Sequence, residues 1–371
     1  MSEIWDVIFE QEKAKNILSK MFEERRVPHA FLFSGPDGIG KYFTALQFAK
    51  MINSSPHNGT SDLILQKISS LQEPYVKLVI PLPRGKGEVS DDSATDKLSQ
   101  DVIDSITDEI RKKIVNPYYK ISLKNANTIK INSVREIRKY IITTTDEINY
   151  RFILIQDAHL MNETAQNAIL KSIEEPPEGI IFVFITSDAE RLLPTIKSRC
   201  WQLNFEPLSS DAVAVILVKH FGIEKTLAEK VALMSEGSPL IALELIDNQF
   251  ELILEKTISI LRFSLARKYH SAYKELSDFI RANSGQSIVT LSRMIKTWLN
   301  DVLKNRHSIF QYYFTDYVET LEKFNSKFHS ADINRIFYSL DNLEKLQIKN
   351  ANLNVVSLNL IFEIASLSIR K

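Results

Sequence analysis

The segment His29-Ala-Phe-Leu-Phe-Ser34 runs directly into Gly35-Pro-Asp-Gly-Ile-Gly-Lys41, and a helical pattern carrying Leu46, Phe48, Ala49 and Ile52 follows. An apolar strand, a glycine turn and a helix form the opening unit of a parallel α/β sheet. Two further apolar runs extend it, Tyr150-Arg-Phe-Ile-Leu-Ile155 and Ile180-Ile-Phe-Val-Phe-Ile185. Strands apolar on both faces are expected where helices cover both sides of a sheet. Between them, Asn162 is placed to cap a helix whose apolar side is Ala165, Ala168, Ile169 and Ile173, and Pro176-Pro177 stops it. Helices are also expected over Phe9–Arg26 and Val134–Ile142. The αβ rhythm ends near Pro207.

The rest of the chain reads differently. Residues 53 to about 117 look like an insertion with its own small structure. It opens on the turn-forming Asn53-Ser-Ser-Pro-His-Asn-Gly-Thr60 and holds one strand within Tyr75–Leu82 and one helix within Leu98–Ile114. A polar tip near residues 84–96 is expected to be mobile. Beyond Ser209 the pattern is helical. Ser209 or Ser210 caps a helix through Lys219, and Leu227–Met234 forms another, ended by Gly237-Ser-Pro239. Long helices follow over Phe250–His270, Ala272–Ala282, Val289–Leu303 and Ile309–Phe328, the last rich in aromatic residues. Apolar spacing favours helix over Ile348–Ile369. A separate helical bundle is expected there, since 371 residues exceed one typical domain.

Composition excludes several function classes. Lys+Arg and Asp+Glu are 46 each, which disfavours a strongly basic nucleic-acid binder. The single cysteine, Cys200, rules out an intramolecular disulfide and any zinc site of several thiolates. No apolar run suits a transmembrane helix, and the N-terminus lacks a secretory apolar core, so a cytoplasmic location is expected.

Gly35, Gly38, Gly40 and Lys41 fit most of a phosphate-binding loop, whose backbone N–H groups cradle phosphates while the lysine reaches the β and γ positions. That pattern wants Ser or Thr after the lysine to hold Mg²⁺, and the chain has Tyr42. A phenol is too long and rigid for that place, and Thr44 points elsewhere on the helix. A metal-holding carboxylate is expected directly off a neighbouring strand with a catalytic one after it. Those places hold Gln156 and Asp157. Gln156 is a poor Mg²⁺ ligand, and Asp157 reads as a helix-start or loop carboxylate. Both failures concern the same ion, so a remnant loop that hydrolyses nothing is favoured over an active one. His159 reads as a loop or capping residue.

Three stretches together resemble the AAA+ clamp-loader subunits of bacterial DNA polymerase III, and among them the delta-prime type. They are residues 27–50, residues 151–177 with Ala165-Gln-Asn-Ala-Ile-Leu-Lys-Ser-Ile-Glu-Glu-Pro-Pro177, and residues 180–200 ending Pro194-Thr-Ile-Lys-Ser-Arg-Cys200. The resemblance is strong over residues 1–52 and 130–210 and architectural elsewhere. It implies an α/β AAA+ domain over 1–207 with a cysteine-free insertion at about 53–127, a small helical lid over 208–245, and a helical collar over 246–371. It implies a hetero-pentameric ring with gamma/tau and delta subunits, acting on primer–template DNA and the sliding clamp. It makes Arg199, flanked by Ser198 and Cys200, an arginine offered in trans to the ATP site of a neighbouring subunit, and it puts Thr186 at the sensor-1 position. Family ATPases carry a lid arginine near a Gly-Ser motif, whereas Gly237-Ser238-Pro239-Leu240 lacks it. The four-cysteine zinc module of many members is not expected, because residues 53–127 hold no cysteine and only His57. No cofactor is expected beyond weak ATP binding at Gly35, Gly38, Gly40, Lys41, Asp157 and Thr186.

Three functions compete. The first is a non-hydrolysing clamp-loader subunit, with no intrinsic ATPase. The second is an ATP-hydrolysing gamma/tau-like subunit, against which Tyr42, Gln156 and Leu240 speak. The third is a nucleotide-independent scaffold outside replication, against which the Arg199 motif speaks.

Overall fold

The computed structural model describes residues 2–54, 61–89, 91–143, 147–282, 287–348 and 351–368. The chain divides into two units, Met1–Ile216 with Gly237–Leu240, and Leu217–Glu236 with Ile241–Lys371. His57 and most of the predicted turn around it lie outside the described residues, as does Ser90 in the polar tip.

In the first unit the elements run α1 (Ser2–Trp5), α2 (Glu12–Glu23), β1 (Ala30–Ser34), α3 (Lys41–Asn53), α4 (Ser61–Ser69), β2 (Val76–Val79), α5 (Gln100–Val115), α6 (Ile131–Ile142), β3 (Arg151–Ile155), α7 (Glu163–Glu174), β4 (Ile180–Thr186), α8 (Pro194–Lys197) and β5 (Trp201–Asn204). The five strands form one parallel sheet in the order β2-β3-β4-β1-β5. Side chains alternate between its faces along each strand. Phe31, Phe33, Phe152, Leu154, Val183 and Ile185 pack on one side with Phe48 and Ala49 of α3. Leu32, Ile153, Ile155, Phe182 and Phe184 pack on the other with Ile137 of α6 and Ile169 of α7. Both faces are therefore covered, as the apolar runs require. Asn162 caps α7 as predicted, its side chain accepting from Ala165 N at 2.8 Å.

Three features of this unit differ from the sequence expectations or were not covered by them. The strand within Tyr75–Leu82 is not private to an insertion. As β2 it pairs with β3, Val76 opposite Phe152 and Val79 opposite Ile155, and forms the edge of the main sheet. Strand β5 carries no apolar run, since among its four residues only Leu203 is buried. It forms because its backbone pairs with β1. In the polar tip, carboxylates make the contacts that apolar side chains make elsewhere. Buried Glu88 accepts from Gly85 N, Lys130 Nζ and Asn132 Nδ2, and Glu136 accepts from Ser93 and Ala94.

From Ser210 the chain is helical: α9 (Ser210–Phe221), α10 (Lys225–Leu233), α11 (Pro239–Asp247), α12 (Phe250–Leu265), α13 (Tyr269–Ala282), α14 (Ser287–Arg306), α15 (Val318–Lys327), α16 (Ile333–Ile348) and α17 (Leu353–Ser366). Ser209 caps α9, its hydroxyl accepting from Ala212 N. In the second unit α12 packs on α13 and α17, and α14 packs on α15 and α16. Trp298, Ile258, Leu261, Leu340 and Ile361 are fully buried there or nearly so. No helix among the described residues is long and apolar enough to cross a membrane.

The predicted helix over Ile309–Phe328 is shorter than expected. A 3-10 turn at Thr315–Tyr317 leads into α15, which begins only at Val318. The cause is Asp301 of α14, which is fully buried. Its carboxylate accepts from Tyr313 N at 2.8 Å and Phe314 N at 2.9 Å, so those amides are spent on a side chain and not on a helical ladder. Asp301→Ala strands both N–H groups. It is expected to cost about 2–3 kcal/mol, read as a lower denaturant midpoint of the helical signal, with Asp301→Asn milder. An unchanged midpoint for Asp301→Ala refutes this account.

Candidate functional site

The phosphate-type loop forms as its sequence demands. Gly35, Gly38 and Gly40 all take positive φ. At Gly35 a Cβ would lie 2.3 Å from the Phe205 carbonyl oxygen, and at Gly38 one would lie 2.2 Å from Leu240 Cβ. Side chains are excluded there by geometry and by neighbours. Gly40 precedes α3, whose N-terminus has no side-chain cap.

The functional groups of the loop are turned inward. Lys41, buried, donates to Gly35 O at 2.6 Å and to Pro36 O. Burial lowers its pKa to about 8 against the pull of Asp37 and Asp157. Thr44 back-bonds to Gly40 O at 3.0 Å, which removes it as a metal ligand. Tyr42 is buried, and its hydroxyl has no partner among the described residues. Its ring is a platform for Lys113, whose Nζ lies 4.2 Å from the ring centroid.

Lys113 belongs to the end of α5. It donates to Pro117 O at 2.9 Å and to Tyr119 O, which folds the following segment over the loop. Tyr118 lies against Gly40, 3.6 Å from where a Cβ would stand, and meets Phe43 edge to face. Lys120 forms an ion pair with Asp37. Burial pushes the Asp37 pKa upward, but Lys120, with help from Lys41 and Ser187, outweighs it and the net shift is down. Burial drives Lys113 down to about 7, beyond what Asp157 and Asp37 restore.

At the end of β3, Gln156 is buried with its Oε1 unpartnered. Asp157 sits in a left-handed turn, φ 52, ahead of a 3-10 turn at Ala158–Leu160 and makes no capping bond. Burial raises its pKa. Gly38, Gly40, Lys41, Tyr42, Lys113, Tyr118, Lys120, Gln156 and Asp157 line a single cavity of about 40 Å³. That is room for a few waters, whereas sites for small organic ligands occupy about 300–1,000 Å³.

Thr186, buried at the end of β4, is engaged by His159, whose Nδ1 lies 3.0 Å from its hydroxyl oxygen. The same oxygen accepts from Asp188 N. His159, read from sequence as a loop or capping residue, lies in the 3-10 turn after β3 and is paired with Thr186.

Ser198, Arg199 and Cys200 lie apart from this cavity, on the turn from α8 into β5. Pro194 opens α8 at its first position, where its missing N–H costs nothing. Ser198 bonds back to Thr195 O. Cys200 is buried, and burial pushes its thiol pKa up to about 12, so it packs as an inert hydrophobe. Arg199 is exposed; its Nη1 donates to Thr195 O at 3.0 Å, and its Nη2 lies 2.6 Å from Glu174 Oε1.

Residues 10–209, more than half of the chain, match the family described as DNA polymerase III, delta subunit. The chain belongs to this clamp-loader family. Curated relatives carry gamma and tau names. The chain is 26% identical over 242 residues to DNA polymerase III subunit tau of Bacillus subtilis, covering 64% of this chain and 36% of that protein. It is 27% identical over 209 residues to subunit gamma/tau of Mycobacterium bovis, covering 56% and 30%. It is 29% identical over 233 residues to subunit gamma of Buchnera aphidicola subsp. Acyrthosiphon pisum, covering 61% and 53%. The chain spans about a third of the length of the first two relatives and about half of the third.

Sequence reasoning missed Lys113, Tyr118 and Lys120. They lie far along the chain from the glycines, and nothing in Asn116-Pro-Tyr-Tyr-Lys120 marks it as cover for a phosphate loop. Among the described residues no cluster of His, Cys, Asp and Glu could hold a metal ion.

Proposed function

We propose that this family member is a non-hydrolysing, delta-prime-like clamp-loader subunit that assembles with gamma/tau and delta subunits and supplies Arg199 to a neighbouring ATP site. The observation that carries this reading is the self-filled phosphate loop. Lys113, Tyr118 and Lys120 line the cavity over the loop, which holds about 40 Å³. Tyr42 and Gln156, at the positions that would hold Mg²⁺, are buried, and the Tyr42 hydroxyl and Gln156 Oε1 have no hydrogen-bond partner among the described residues. A loop of this kind stabilises a rigid α/β platform without chemistry of its own. Arg199 stands at the edge of that platform, exposed, with a planar fork suited to charge developing on phosphoryl oxygens. In this reading the subunit takes its place in a hetero-pentameric ring that loads the sliding clamp onto primer–template DNA.

Titration of the isolated chain with Mg²⁺–ATP is expected to show no binding at micromolar concentrations, and its phosphate release should equal that of Lys41→Ala. Tight binding that needs both Mg²⁺ and Lys41 would contradict the expected low affinity, and phosphate release above the Lys41→Ala level would falsify the non-hydrolysing reading. It would favour the second reading, an ATP-hydrolysing gamma/tau-like subunit, which the names of the curated relatives support.

A further inference from the structure

Glu174 is the last residue of α7, and a carboxylate at a helix C-terminus faces the negative end of the macrodipole. Local rules therefore disfavour it there, and such a breach points to a role set by tertiary contacts. The compensating cation is Arg199, with Nη2 2.6 Å from Glu174 Oε1. Both side chains are partly exposed, at 37% for Arg199 and 44% for Glu174. Exposed pairs of this kind contribute little to stability, so the pair is better suited to fixing a geometry than to holding the fold.

The geometry is specific. A guanidinium on a flexible stem has many rotamers, and here it is held at two points by two different elements. Nη1 is tied to Thr195 O, a carbonyl of α8. Nη2 is tied to Glu174, on a helix packed against α8 and ended by Pro176-Pro177. One contact alone would leave the planar fork free to swing about it. A hydrogen bond to one element and an ion pair to another together restrict where the fork can swing. The guanidinium carries five N–H donors in all, so donors remain for an incoming anion.

We infer that Glu174 is a positioning residue for Arg199, holding the guanidinium plane ready for the phosphoryl oxygens of an adjacent subunit's nucleotide. This rests on the trans-acting role of Arg199 given above. Glu174 itself touches no nucleotide. It lowers the disorder that Arg199 would otherwise lose on meeting the phosphoryl group. Removing it therefore slows the chemical step and leaves nucleotide affinity unchanged.

The test uses the reconstituted clamp loader with its other ATP sites disabled, assembly confirmed by mass and folding by thermal melting of each variant. Glu174→Ala is expected to lower the neighbour's kcat by about tenfold, because misplacing a catalytic group by 1 Å costs up to about a hundredfold. The KM for ATP should stay the same. Glu174→Gln keeps one oxygen acceptor and should retain most of the rate. In an Arg199→Ala background, Glu174→Ala should cost nothing further, the non-additivity expected of residues acting through one group. A Glu174→Ala rate equal to or above the unmodified one, with Arg199→Ala still slow, overturns the positioning role and leaves the Arg199 reading standing. A loss of the same size in the Arg199→Ala background also overturns it. An Arg199→Ala rate equal to the unmodified one overturns the underlying reading, and the positioning role with it.

Discussion

Arg199→Ala, in a reconstituted complex whose other ATP sites are disabled, is expected to slow ATP hydrolysis by about a hundredfold or more. Arginine fingers supplied in trans contribute about 10³–10⁵ in kcat in other phosphoryl-transfer systems. The neighbour's own groups keep part of the rate, which places the expectation at or below the low end. Folding of this chain should be untouched, because Arg199 is exposed and, among the described residues, its hydrogen-bond and ion-pair partners are Thr195 and Glu174. Arg199→Lys should recover only part of the loss, since a point charge replaces a planar fork. Clamp loading should fall in parallel with hydrolysis. Hydrolysis and loading at the unmodified rate, with the complex intact by mass, return Arg199 to the status of a surface residue.

The second large effect is a pH dependence of the first unit's stability. Lys113 has a pKa of about 7 in the folded chain, against 10.5 for an ordinary lysine. Lys41 is lowered to about 8 by burial, with the same sign. Between these values and 10.5 the folded lysines have lost their protons while the unfolded ones keep theirs. The unfolded state then binds more protons, and stability rises with pH across that window, by up to about 1.4 kcal/mol per pH unit for each group. Below about pH 7 both states are charged and the burial penalty is felt in full. Lys113→Met fills the same slot without a charge. It should flatten the pH slope, leaving the Lys41 share. Urea midpoints at pH 7, 8 and 9 check both claims. A midpoint flat with pH, or a slope that Lys113→Met does not change, contradicts the buried-lysine account.

Parts of this protein can be read from residues alone, and the reason is local. Strand β1, the glycine turn and α3 follow from three positive-φ glycines between two apolar patterns. Strands β3 and β4 announce themselves as unbroken apolar runs, and Asn162 caps α7 through a contact three residues away. Elements without such local signals were not legible. Strand β5 exposes three of its four residues and exists through its pairing with β1. Helix α16 went unread, and the helix expected from Ile309 was cut short by a carboxylate on α14.

The candidate sites divide in the same way. Sequence alone placed Tyr42 and Gln156 where a phosphate-loop motif calls for metal-holding residues, because they are identities at fixed places along the chain. It also singled out Arg199, through a motif of contiguous residues. Only the tertiary structure decided what fills the loop. Lys113, Tyr118 and Lys120 reach the glycines through the fold of the chain after α5, held by a cation–π contact, two carbonyls and an ion pair. The partner of Arg199 was likewise settled in three dimensions, where the end of α7 meets the turn after α8. A motif is a pattern along the chain and fixes which groups are present. Burial, pKa and occupancy depend on which distant groups the fold brings beside them, and spacing in sequence holds no record of that distance.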